Sequence, residues 1–209
     1  MTRWAVVVPV KELPVAKTRL HELPPADRAD LALAMAQDVV AAALAADGVD
    51  GVLVVTNDLR AAAAFADSGA LVVADTEDAG LNPALVDGAR LARGWWPRAG
   101  VAALSADLPC LRPAELSAAL AGAASYDRAV VPDAGGDGTT LLTARPGVAL
   151  EPRYGAGSRL GHVATGAWAL EVAGPGLRLD VDTSADLDTA IALGVGPATA
   201  AVLARLARR

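Results

Sequence analysis

A three-layer α/β fold with a mostly parallel sheet is predicted by three features of the chain. Short runs rich in Val and Ala recur, Ala-rich helical stretches separate them, and Gly, Pro and Asp mark the joints. Residues 4–10 are a continuous apolar, largely β-branched run, as expected of a strand covered on both faces. Similar runs at 51–56, 70–74, 100–105 and 128–132 predict four more strands. Between them, Pro24 and Pro25 open a helix to about residue 46, and Asp58 caps one through residue 67. Residues 82–93 carry a helical pattern, and Pro113 opens a helix to about residue 122. Strands alternating with helices imply parallel pairing through crossover helices.

Beyond residue 132 the rhythm changes. Gly135, Gly136, Asp137 and Gly138 predict a tight turn into an antiparallel return strand at 139–143. Residues 178–182 read as another short strand, Thr183 or Ser184 as the cap of a helix through residue 193, and residues 197–209 as a terminal helix. No repeat or linker divides the chain, so residues 1–209 are expected to form a single domain.

Composition narrows the function. The net charge of −6 argues against a nucleic-acid partner, since a phosphate backbone wants a basic face. Gly194, Gly196 and Pro197 interrupt the uncharged stretch 189–204, and residues 4–10 are too short for a signal peptide, so no membrane partner is expected. The single cysteine, Cys110, excludes an internal disulfide and suits a reducing compartment, hence a cytoplasmic protein.

Chemistry in an open α/β sheet belongs at the carboxyl ends of its strands. Four clusters fall there. Lys11, Lys17 and Arg19 share the loop after the first strand; they suit a triphosphate, or are a solvated basic loop. The Gly-Lys-Ser/Thr ending of a P-loop is absent. Asp107 follows the strand at 100–105 and suits Mg²⁺, which takes one or two carboxylates plus phosphate oxygens, or it caps the next helix. Asp180 and Asp182 alternate along the chain, so they share a face roughly 7 Å apart and call for a cation or solvent between them. Gly155, Gly157 and Ser158 form a glycine-rich entry to a helix that suits an anion, with Thr139 and Thr140 as hydroxyl donors; an ordinary loop-to-helix turn has the same composition.

These pieces together resemble a known family. Lys11 through Lys17, Thr18, Arg19 and Leu20, then Gly80, Leu81, Asn82 and Pro83, then Ala106, Asp107, Leu108 and Pro109 occur in its order. Asp133 with Asp137 to Thr140, Gly155 to Ser158 with His162, and Asp180 to Thr183 with Asp186 and Leu187 complete the pattern. The chain resembles the 2-phospho-L-lactate or phosphoenolpyruvate guanylyltransferases of coenzyme F(420) biosynthesis, nearly end to end. Glu12, Thr18, Tyr154 and the Gly-Gly-Asp-Gly turn depart from the family pattern.

The resemblance implies a nucleotidyltransferase domain of the nucleotide-diphospho-sugar-transferase-like fold. It implies Mg²⁺ on Asp107 and Asp180, and a phosphorylated three-carbon acid on Thr140, Gly155 and Ser158. GTP would face Lys11, Lys17, Arg19 and Asn82, with Lys17 and Arg19 on the departing pyrophosphate. The unstable product would pass to a downstream transferase. Two alternatives remain beside this reading: another nucleotidyl- or glycosyltransferase on the same fold, and a catalytically silent nucleotide-binding protein.

Overall fold

The computed structural model describes residues 2–76, 80–171 and 174–208. The first strand, β1 (Trp4–Pro9), is buried from Trp4 to Val8, as a central strand with helices on both faces must be. After it come α1 (Pro25–Leu44), β2 (Val49–Val55), α2 (Leu59–Phe65), β3 (Leu71–Val73), α3 (Leu81–Trp95) and β4 (Gly100–Leu104). The chain continues through α4 (Pro113–Ala123), β5 (Arg128–Pro132), β6 (Thr139–Ala144), α5 (Ser158–Ala164), β7 (Trp168–Ala169), α6 (Pro175–Arg178), α7 (Ser184–Leu193) and α8 (Pro197–Leu206).

Among the described residues the strands form one seven-stranded sheet in the order β3-β2-β1-β4-β6-β5-β7. The pairs β1–β2, β1–β4, β2–β3 and β5–β7 are parallel, and β6 runs antiparallel between β4 and β5. This is the expected mostly parallel sheet with its antiparallel return strand. The two-residue edge strand β7 was not foreseen, because so short a segment has no readable period.

Alternation along β1 divides the core. Trp4, Val6 and Val8 pack with Leu33, Val39 and Val40 of α1 and Leu116 and Leu120 of α4 on one face. Ala5 and Val7 pack with Leu85, Ala89 and Ala92 of α3 on the other. A third cluster matters most for the site. Leu20, Leu31, Met35, Cys110, Leu179, Val181 and Ala190 tie the loop after β1, the loop after β4 and the segment before α7 into one small core.

The expected strand at 178–182 is not formed. Arg178 ends the short helix α6, and residues 179–182 pair with no strand. The alternation itself is present, with Leu179 and Val181 buried and Asp180 and Asp182 turned outward. The sheet is already filled on that side by β6 and β5, so this segment crosses the strand ends. Single backbone bonds hold it there, from Ala134 N–H to the Arg178 carbonyl (2.7 Å) and from Val181 N–H to the Asp107 carbonyl (3.1 Å).

Thr183 caps α7 with a reciprocal bond to Asp186, as its position suggested. The terminal helix runs Pro197–Leu206, and the expected end at Arg209 lies outside the described residues. Among the described residues no single helix is long and apolar enough to cross a bilayer; α7 and α8, divided by Gly194 to Gly196, are bent by 119°.

Candidate active site

The loop after β4 carries Asp107 to the rim of the sheet. Ser105 N–H still bonds the Thr140 carbonyl (2.9 Å), extending the β4–β6 ladder by one step. Leu108, Cys110 and Leu111 then turn inward and are buried, which leaves Asp107 partly exposed above them. Beneath this loop runs α6, where Gly176 makes the close approach possible. A Cβ at Gly176 would lie 2.2 Å from the Cys110 carbonyl oxygen. Through this contact and the Val181–Asp107 bond, the chain brings Asp180 and Asp182 to Asp107.

The loop after β1 closes the cluster from the other side. Leu13 and Leu20 are buried at its two ends, and the Asp58 carboxylate accepts from Leu13 N–H (2.9 Å) while capping α2. Between those anchors Lys17 adopts φ 54°, a left-handed backbone that costs a non-glycine residue of order 1–3 kcal/mol. The compensation is electrostatic. Lys17 Nζ lies 2.5 Å from Asp107 Oδ2 and 3.0 Å from Asp182 Oδ1, and its side chain is only 9% exposed. Burial works against its charge, but the carboxylates of Asp107 and Asp182 outweigh that and hold the ammonium above its ordinary pKa. Arg19 is far more exposed, with Nη1 3.5 Å from Asp182 Oδ2.

Asp180 completes the group and is the most strained electrostatically. Burial, then the Asp107 carboxylate, push its pKa up to about 7, with Asp133 and Asp182 adding to the effect. Asp133 follows the end of β5 as Asp107 follows the end of β4, and Arg178 fixes its backbone by donating to the Pro132 and Asp133 carbonyls. Sequence reasoning did not assign Asp133 a role at the site. Its position one residue past a buried strand was the available signal.

Two adjoining clefts open beside this cluster. One of about 350 Å³ is lined by Lys11, Lys17, Arg19, Ser105, Asp107 and Asp182. Its neighbour of about 250 Å³ shares Pro9, Val10, Lys11 and Leu81, and reaches Thr56, Asn57 and Asp75 at the ends of β2 and β3. Asn57 and Asp75 exchange two bonds of 3.0 Å, side-chain amide to backbone. That pairing across two loops left no trace in the sequence.

Of the other expected site residues, Asn82, Thr140, Gly155 and Ser158 line neither cleft. Asn82 donates to the Tyr154 carbonyl (3.0 Å) and accepts from Tyr154 N–H (2.8 Å). Both its polar ends therefore anchor the glycine loop. Gly155 is exposed with φ 141°, a conformation that favours glycine. Thr140 is buried, its hydroxyl 3.5 Å from the Val131 carbonyl, and Ser158 is buried with its hydroxyl 3.1 Å from Thr139 Oγ1. Ser158 does begin a helix, but α5 has only seven residues, so its hydroxyl is a stronger polar handle than any helix dipole.

His162, on the next turn of α5, is fully buried. Its Nδ1 lies 3.1 Å from Thr139 Oγ1, and its Nε2 accepts from Arg153 N–H (2.8 Å). Burial, then the nearby Arg153 and Arg128, lower its pKa to about 4.

The acidic cluster suits a hard divalent cation. A half-buried carboxylate penalised by its neighbour's charge, as Asp180 is by Asp107, gains most from a cation between them. Among the described residues, no three or more His, Cys, Asp or Glu side chains converge to cage an ion alone.

The chain is similar to known proteins along nearly its whole length. Residues 4–207 match the family described as "Guanylyl transferase CofC like". A phosphoenolpyruvate guanylyltransferase of Thermomonospora curvata is 55% identical over 97% of this chain and 90% of the relative. That of Geodermatophilus obscurus is 56% identical over 98% and 96%. The fold is similar to a nucleotidyl transferase from Methanothermobacter thermautotroptrophicus, with TM-score 0.63 and 19% identity over 92% of this chain and 98% of that one. It is also similar to Rv0371c of Mycobacterium tuberculosis, whose structure is a complex with manganese, with TM-score 0.55 and 24% identity over 90% and 97%. A seven-stranded mixed sheet, carboxylates gathered at its strand ends and near full-length identity above half lead to one conclusion: the chain belongs to the CofC-like guanylyl transferase family.

Proposed function

We propose that this protein transfers GMP from GTP to the phosphate of phosphoenolpyruvate, releasing pyrophosphate, as a step in coenzyme F(420) biosynthesis. The observation that carries the reading is Lys17 inserted between Asp107 and Asp182 on a cleft beside β1, with Asp180 near enough to Asp107 to feel its charge. Relatives more than half identical over nearly their full length, each a phosphoenolpyruvate guanylyltransferase, support the choice of acceptor and base.

In the reaction an acceptor phosphate oxygen bonds to the α-phosphorus of GTP, and the bond from that phosphorus to the pyrophosphate oxygen breaks. Transfer of this kind depends on alignment and charge neutralisation. Asp107 and Asp180 would hold Mg²⁺, which when bound supplies the positive charge that lets two anions meet. Lys17 leaves Asp107 and Asp182 for phosphate oxygens, and Arg19, already exposed on the same loop, meets the departing pyrophosphate. Lys11, at the junction of the two clefts, bridges the nucleotide's phosphates. Ser158, Thr140 of β6 and the Gly155 backbone receive the acid, and Asn82 anchors the loop that carries Gly155. A phosphate monoester loses its second proton near pH ~6, so the nucleophile needs no general base at neutral pH.

The test is pyrophosphate release from GTP and Mg²⁺ with phosphoenolpyruvate, 2-phospho-L-lactate or 3-phosphoglycerate, for the intact protein and Asp107→Ala. Release with phosphoenolpyruvate that Asp107→Ala abolishes supports the reading. GTP binding with no release for any acid refutes it.

A further inference from the structure

We infer that His162 is a positioning residue for the acid substrate: held in one tautomer, it acts through Thr139 to make Ser158 a hydrogen-bond donor toward the bound anion. The inference rests on the proposed acid site and adds to it a residue that touches no substrate.

The geometry leaves the ring little choice. Arg153 N–H points at Nε2 from 2.8 Å, and a backbone N–H can only donate, so Nε2 carries no proton. In the neutral ring the proton is then on Nδ1, which faces Thr139 Oγ1 at 3.1 Å. Thr139 Oγ1 therefore accepts from the ring, and its own proton remains to be given. Its neighbour is Ser158 Oγ, at 3.1 Å.

Without ligand, Ser158 donates back to Thr139. An anionic oxygen arriving at Ser158 accepts only, so the Ser158 proton turns to it and the Thr139 proton turns to Ser158 Oγ. Every link is then one donor facing one acceptor: Arg153 N–H to Nε2, Nδ1–H to Thr139, Thr139 to Ser158, Ser158 to the anion. With the opposite tautomer, Nε2–H would face Arg153 N–H, and Thr139 would spend its proton on Nδ1. His162 and Thr139 are buried, so water does not readily substitute for a missing link between them.

Two amide substitutions separate this role from mere packing. Asn at 162 places an amide donor near the Nδ1 position and loses the Nε2 acceptor; Gln places a carbonyl near the Nε2 position and loses the Nδ1 donor. His162→Gln is expected to raise the KM for phosphoenolpyruvate about 10- to 100-fold, the range for a lost bond to a charged group, with the KM for GTP unchanged. His162→Asn is expected to keep the acid KM within about threefold while lowering Tm, because Arg153 N–H loses its partner. Thr139→Val and Ser158→Ala should each raise the acid KM, and the double variant should be no worse than the poorer single one. A His162→Gln protein with wild-type acid KM overturns the inference, as do additive losses in the double variant.

A readout independent of turnover is the ¹⁵N spectrum of the two histidines, His21 and His162. His162 should show Nδ1–H at neutral pH. An Nε2–H signal overturns the inference even if the enzyme is active. If the wild type releases no pyrophosphate with any acid, the proposed reaction fails, and the spectrum still decides the tautomer.

Discussion

Replacing Lys17 by Met removes the charge that holds two acidic segments, those of Asp107 and Asp182, together while keeping most of the apolar stem. At effective dielectric ~20, two unit charges ~4 Å apart attract by about 4 kcal/mol, and Lys17 sits closer than that to both Asp107 and Asp182. Most of this offsets the cost of desolvating the ammonium. The Asp182 arm is discounted further, because that side chain is 46% exposed and solvent screens it to surface-pair strength, at most ~1 kcal/mol. The Asp107 arm, with the lysine nearly buried, adds more. The net loss is about 2 kcal/mol, which for a chain of this length lowers Tm by roughly 4–8 °C in EDTA. The sign reverses when a divalent cation is added. In the wild type the cation must displace Lys17, whereas in Lys17→Met it meets unpaired carboxylates. Mn²⁺ or Mg²⁺ should therefore raise the variant's Tm more than the wild type's, and bind it more tightly by calorimetry. Pyrophosphate release should still fall, because Lys17 is also needed at the phosphates. A variant with wild-type Tm in EDTA and no larger response to Mn²⁺ would refute the view that Lys17 stands in for the metal.

Asp180→Asn should abolish pyrophosphate release by at least ~10³-fold without lowering Tm in EDTA, since the carboxylate it removes is one that burial and Asp107 penalise; a lower Tm would show that Asp180 stabilises the fold. For His162 the folded pKa is depressed to about 4 from 6.5, so below pH 6.5 the unfolded chain binds the extra proton. Stability present above pH 6.5 should fall by about 3 kcal/mol as pH drops to 4, and the His162→Gln protein should lack that component in urea titrations. Asp38, on α1, accepts from Ala198 N–H (2.9 Å) and Thr199 N–H (2.8 Å) and so caps α8 from another helix. Asp38→Ala should cost about 1–2 kcal/mol by chemical denaturation and leave kcat unchanged; an unchanged denaturation midpoint would show the cap to be idle.

Most of the sheet was legible because its information is local. A buried strand between helices needs a short apolar run, and residues 4–10, 51–56 and 100–105 have one. Caps are equally local: Asp58 and Thr183 bond N–H groups two or three residues away. The segment 178–182 shows where this fails. Its alternation is that of a strand, but a strand also needs a vacant edge, and β6 and β5 had filled the sheet beside β4.

The same division runs through the candidate site. The amino-acid sequence by itself determined that Lys11 and Asp107 stand just beyond the ends of buried strands, since a charged residue after such a run lies at the rim. Only the tertiary structure decided which groups pair. Lys17 reaches Asp107 and Asp182 across 90 and 165 residues, Asn82 clamps Tyr154 across 72, and His162 meets Thr139 across 23. None of these contacts has a period or spacing to reveal it. They exist because the small core around Leu20, Met35, Cys110 and Val181 buries apolar side chains from distant segments, and burying them sets where the polar neighbours must meet.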